Sequence, residues 1–81
     1  MKIKIKIKIK MYSIMQKYGP DGRDEFALTV EQGTTAETVP KILNIPETLE
    51  YKLFINGGFC DLETVLQAGD NITLFPLMDG G

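Results

Sequence analysis

Lys2-Ile3-Lys4-Ile5-Lys6-Ile7-Lys8-Ile9-Lys10 alternates charge and hydrocarbon without a break. Successive side chains of an extended strand point to opposite faces, so a period of two puts the isoleucines on one face and the lysines on the other. A strand divided in this way belongs in a sheet that is covered on one side and wet on the other. The lysines also oppose edge-to-edge aggregation. The rest of the 81-residue sequence must therefore supply a lid for Ile3, Ile5, Ile7 and Ile9 and the strands that flank them.

Working outward, the first strand is expected to run on as far as Met11–Ile14. Tyr18-Gly19-Pro20-Asp21-Gly22-Arg23 is a dense turn signal. Glu25–Val30 (EFALTV) follows as a second strand, with Phe26, Leu28 and Val30 on one side. The two runs predict an antiparallel hairpin.

Thr34-Thr35-Ala36-Glu37 then has the spacing of a capping box, Thr34 with Glu37 three residues on. Ala36, Val39, Ile42 and Leu43 predict the inward face of one short helix. Pro40 conflicts with a start at Thr34, so the helix begins there with a distorted first turn or starts nearer Thr38. Asn44 and Pro46 end it. Tyr51–Asn56 (YKLFIN) predicts a third strand, Asn56-Gly57-Gly58 a turn, and Phe59-Cys60 a short fourth strand. Leu62–Leu66 predicts one tight helical turn. Asn71–Leu77 (NITLFPL) is the last strand, with ladder pairing expected to stop near Pro76. The order is ββαββ with a final strand: an α+β, β-grasp arrangement of four to five strands in a mixed sheet, with one helix on one face.

Composition narrows the chemistry. The chain has one cysteine, Cys60, and no histidine. No disulfide framework, Cys/His zinc site or histidine-based general-base chemistry can be built from it. The net charge is −2, so the chain as a whole does not advertise a nucleic-acid partner. That total hides an asymmetry. Residues 1–17 hold six lysines and no acid, while the remainder holds three basic and eleven acidic groups. A lysine row can serve nucleic acid or an anionic membrane, but no aromatic residue interleaves these lysines, and a solvated sheet face is the better reading. Apolar stretches are far short of a membrane span. Met1 leads straight into the lysines with no apolar signal segment, and the expected location is the cytoplasm. The expected organisation is a single domain over residues 1–77 with a free tail over 78–81.

Single residues add little catalytic potential. Cys60 beside Phe59 reads as a small packed hydrophobe in preference to a persulfide relay, since no positive neighbour lowers its pKa. Asp61, Glu63, Asp70 and Asp79 are spread without the pattern of a cation loop, and no metal site is expected. Asp70 is expected to organise the turn before the last strand. Phe54, Phe59 and Phe75 are candidates for an exposed docking patch.

The order hairpin, helix, Ile45-Pro46, strand ending Asn56-Gly57, then Leu66-x-x-Gly69-Asp70-x-Ile72-x-Leu74-Phe75-Pro76 and Gly80-Gly81 resembles the ubiquitin-like sulfur carriers. These include the small subunit of molybdopterin synthase and the thiamine-biosynthesis sulfur carrier. The resemblance spans the chain from about Lys6. Residues 1–5 extend beyond the usual start, Leu77 stands where a second proline is frequent, and Asp79 where a smaller residue is. What it implies is a carrier and substrate in place of an enzyme. An activating adenylyltransferase of the ubiquitin-activating type would use ATP to adenylate the carboxylate of Gly81. A sulfur donor would convert it to a thiocarboxylate, and Met78, Asp79, Gly80 and Gly81 would enter the active site of a molybdopterin synthase catalytic subunit. Thiazole synthase is the alternative acceptor. Two other readings are a protein modifier joined to lysines through Gly81, and an interaction module whose lysine face binds an anionic partner.

Overall fold

The computed structural model describes residues 2–77. Five strands, β1 (Lys4–Met11), β2 (Glu25–Glu31), β3 (Tyr51–Ile55), β4 (Gly58–Phe59) and β5 (Asn71–Pro76), form one sheet in the order β2-β1-β5-β3-β4. β1 and β5 are parallel and every other pairing is antiparallel. The mixed sheet with one helix, α1 (Thr38–Ile42), is the expected arrangement.

The period of two decides the core. Ile5, Ile7, Ile9 and Met11 are buried on one face of β1, and Lys4, Lys6 and Lys8 are exposed on the other. Ile72 and Leu74 of β5, fully buried, continue the same aliphatic layer. Each such side chain contributes about 2 kcal/mol on leaving water. Ile3 shares their parity but lies before the ladder begins and is 56 % exposed.

The cover differs from expectation in its details. The first strand stops at Met11, the near end of its expected range, and Ser13–Tyr18 forms a 3₁₀ helix. Its three-residue repeat turns Met15 under the sheet, where it is fully buried and plugs one end of the core. Close behind it, a Cβ on Gly19 would collide with the Arg23 carbonyl oxygen.

The capping box is not formed. The helix starts at Thr38, the second of the two expected starts, with Glu37 before it and no side-chain cap. The Ala36 and Glu37 N–H groups instead donate to Thr64 O (2.9 Å) and Leu62 O (3.0 Å), so a neighbouring segment does the work of a cap. Glu37 is left to pair with Lys41 at 3.2 Å, one helical turn on. Pro40 falls in the first turn, where its missing N–H has no intrahelical partner to lose. Ile42, expected on the inward face, is the last residue of this short helix and is 44 % exposed, while Val39 is fully buried.

Leu62–Leu66 is not a helical turn. Thr64 closes one turn by donating to Asp61 O, and the chain then runs extended beside Thr34–Ala36, with Thr35 bridged to Val65 and Leu66 N–H donating to Thr34 O at 2.8 Å. This segment, the helix and the 3₁₀ turn cover the sheet together. Asn56 and Gly57, both at positive φ, make the two-residue hairpin turn from β3 to β4. The tightness of that turn brings β4 one residue earlier than Phe59-Cys60. β5 ends as expected, with Pro76 opposite Tyr51 as the last pair.

Candidate docking face

The face of the sheet turned away from the helix carries the three phenylalanines singled out in the sequence. Phe59 of β4 lies opposite Phe54 of β3, and Phe75 of β5 lies beside them, opposite Lys52. Their ring centroids are 4.9 Å apart for Phe54–Phe59 and 5.5 Å for Phe54–Phe75, the latter nearly perpendicular. Tyr12 completes the strip, stacked on Phe75 at 4.4 Å with its ring 4° from parallel. Its placement was legible, because Tyr12 carries the even-numbered lysine face of β1 one step past Met11. The Tyr12 N–H donates to Leu74 O, which extends the parallel pairing by that step.

These rings remain open to solvent. Phe59 is 77 % exposed, Tyr12 and Phe75 about two-fifths, and Phe54 half-buried. Lysines frame them: Lys52 Nζ lies 5.1 Å from the Phe59 centroid and Lys10 Nζ 5.4 Å from that of Tyr12, within cation–π range. Lys10 also donates to Asp24 Oδ2 at 3.1 Å. That hydrogen bond raises the Lys10 pKa above its ordinary value and lowers the Asp24 carboxyl below its own. A shallow recess lies among Tyr12, Phe54, Gly57, Thr73 and Phe75. An apolar strip with a cationic frame is suited to gripping a protein surface that presents hydrocarbon edged by carboxylates.

Behind the strip, Asp70 organises the approach to β5. Its Oδ2 accepts the Gln67 N–H at 2.8 Å and its Oδ1 accepts Asn56 Nδ2 at 3.1 Å, while Asn56 Oδ1 accepts the Asn71 N–H at 2.9 Å. Gly69, at φ +86°, provides the left-handed step this turn requires. β5 is thus clamped at its start and at its end, where Leu77 N–H donates to Glu50 O.

Met78, Asp79, Gly80 and Gly81 lie outside the described residues. The chain length alone limits them: Gly81 stands six positions beyond Phe75, and an extended chain of that length spans at most about 20 Å. Cys60 is half-buried against the core, its Sγ 3.9 Å from Leu53 O. Burial pushes its thiol pKa up, with the Asp61 charge adding to the effect, which disfavours the thiolate a sulfur relay needs. Among the described residues no three acidic or cysteine side chains converge on a metal-sized site. None of their helices is long and apolar enough to cross a membrane.

No protein-family model matches the sequence and no curated protein matches it. Solved structures do. A putative molybdopterin converting factor subunit 1 from Pyrococcus furiosus superposes with a TM-score of 0.76 at 17 % identity, over 91 % of this chain and 99 % of that one. Small archaeal modifier protein 1 from Haloferax volcanii gives 0.73 at 16 % identity over 91 % and 99 %. The protein of the same name from Methanosarcina acetivorans gives 0.71 at 21 % identity over 98 % and 99 %. Strand order, the single helix and these superpositions agree, and the chain has the β-grasp, ubiquitin-like fold.

Proposed function

We propose that this chain is a sulfur carrier that works through its own last carboxylate and docks on its enzymes through the aromatic face. The observation that carries the reading is the position of Phe75. It sits in the aromatic strip, on the strand that leads directly to Gly80-Gly81. A partner that grips Phe75 holds the chain six residues from the reacting carbon.

The chemistry follows from what a carboxylate lacks, a leaving group. Attack of the Gly81 carboxylate on the α-phosphorus of ATP expels pyrophosphate and leaves an acyl-adenylate. Hydrosulfide adds to the carbonyl carbon, the C–O bond to AMP breaks, and a proton is lost to give the thiocarboxylate. The carrier needs no catalytic side chain of its own. Glycines at the end let the extended backbone enter a narrow active site without Cβ atoms. Delivery to molybdopterin biosynthesis is supported by the likeness to the converting-factor subunit and by Phe75-Pro76 near the end of the last strand.

A second reading draws on two superpositions with small archaeal modifier proteins. In it, Gly81 is joined to lysines of other proteins after the same activation. Incubation with Mg·ATP, sulfide and the cognate activating enzyme tests the first reading. Mass spectrometry is expected to find one oxygen exchanged for sulfur at Gly81, and none in a chain lacking Gly80-Gly81. Persistent absence of the exchange overturns it. Isopeptide-linked Gly81 adducts in lysate, without free thiocarboxylate, select the second.

A further inference from the structure

β2 is an edge strand, and the backbone bonds at its two ends fix which of its groups are unused. Gln32 N–H donates to Ile3 O and Met11 N–H donates to Asp24 O, both at 2.7 Å. The register between them pairs Ile5 with Val30, Ile7 with Leu28 and Ile9 with Phe26. Antiparallel ladders alternate hydrogen-bonded and non-bonded pairs. Even-numbered residues of β2 are therefore bonded to β1, and Glu25, Ala27, Thr29 and Glu31 turn their N–H and C=O groups outward. Of these, only Glu31 O has a backbone partner, the Thr34 N–H. The side chains of Glu25, Ala27 and Thr29 are exposed. An unpaired edge of this kind is a template for another strand.

The core side of the same edge is apolar. Phe26 and Leu28 are half-buried there, and with Tyr18, Leu43 and the exposed Ile42 they line a groove between β2 and α1.

We propose that the β2 edge pairs antiparallel with β2 of a second copy of this chain, in the register centred on Ala27. The charges select that occupant and that register. Centred on Ala27, Glu25 faces Thr29 of the other copy, and Arg23 faces Glu31, an opposite-charge pair made twice by the two-fold symmetry. Moving the centre one residue to Leu28 sets Glu25 against Glu31 twice, which is repulsive. Moving it to Phe26 leaves Arg23 against Thr29. Of these three centres, Ala27 alone sets opposite charges against each other. It also sets Phe26 opposite Leu28 twice on the core side, so the two grooves join into one apolar seam beside Ile42. About six new backbone hydrogen bonds form. The aromatic strip lies toward the far edge of the sheet, and β5 is interior, so both remain accessible in the pair.

Sedimentation equilibrium on the full chain tests this. A concentration-dependent dimer is expected. Ala27→Pro removes an outward N–H without touching the β1 ladder and is expected to weaken the dimer at least about tenfold. Arg23→Glu and Glu31→Arg singly weaken it, and Arg23→Glu/Glu31→Arg together restore it, a rescue that does not depend on how well the proline variant folds. Slowed exchange of the Ala27 and Thr29 amides with rising concentration is the matching local signal. A chain that stays monomeric to about 1 mM overturns the proposal and leaves the edge to a strand from another protein. A dimer indifferent to the charge swap but dissolved by Phe75→Ala also overturns it, placing the contact on the aromatic face.

Discussion

The two faces of the sheet are built from the same strands yet do opposite things with hydrocarbon. On the helix side, Ile7, Ile9, Ile72 and Leu74 are fully buried. On the open side, Tyr12, Phe54, Phe59 and Phe75 pack on one another edge and face, under lysines, while still meeting water. Aliphatic side chains gain only by leaving solvent. Aromatic rings also gain from mutual geometry and from cations, so a partly exposed cluster can hold its shape while it waits for a partner. Stability belongs to the first face, and the recognition proposed above is assigned to the second.

Substitutions should break that division in graded steps. Ile7→Ala on the closed face leaves a cavity under the sheet and is expected to cost about 3 kcal/mol in a guanidinium chloride melt, a large part of the margin of a chain this small. Phe75→Ala on the open face is expected to cost about 1 kcal/mol of stability while raising the KM for adenylation roughly tenfold with kcat unchanged. An equal fall in stability from both variants would erase the distinction between the faces. Asp70→Ala, behind the open face, leaves the Gln67 N–H and Asn56 Nδ2 without their acceptor, and about 1 kcal/mol is expected from the same melt.

The smallest effect is that of the Lys10–Asp24 pair. Asp24 is held below its ordinary carboxyl value by Lys10, so its contribution is present above that value and fades as the pH falls through the lowered pKa. Lys10 is held above 10.5, so its contribution is present below that and fades as the pH rises through the raised pKa. Stability of the native chain relative to Asp24→Asn is expected to be flat through neutrality and to shrink at both extremes. A maximum at either end would contradict the pairing.

How far this was legible in the sequence depends on how local each signal was. The lysine–isoleucine alternation needs no partner to be read, because each residue's face follows from its neighbour's. The turn before β5 is local too, and Asp70 caps it as expected. The capping box misled because it is a local pattern overruled from elsewhere: of the N–H groups it would serve, that of Glu37 is taken by Leu62 O and that of Thr34 by Glu31 O. Met15 is hidden from a strand reading because its burial follows a three-residue turn. Phe54, Phe59 and Phe75 were each visible as candidates, but only strand order brings them together and adds Tyr12. Lys10 has aromatic company two residues on, in Tyr12. What the sequence hides is the stacking of Tyr12 on Phe75, which comes from a strand distant in sequence.

The insertion of β5 between β1 and β3 also bears on how the chain is made. β1 and β2 can close as a hairpin early, but the inner edge of β1 and the edge of β3 stay unpaired until residues 71–76 arrive. Non-local pairing of this kind is slow and exposes strand edges meanwhile. The last of the five strands to be synthesised is thus the one that locks the others. A chain interrupted before it would expose two hungry edges and lack Phe75, so under the function proposed above an activating enzyme that grips the aromatic face would charge only chains whose sheet had closed.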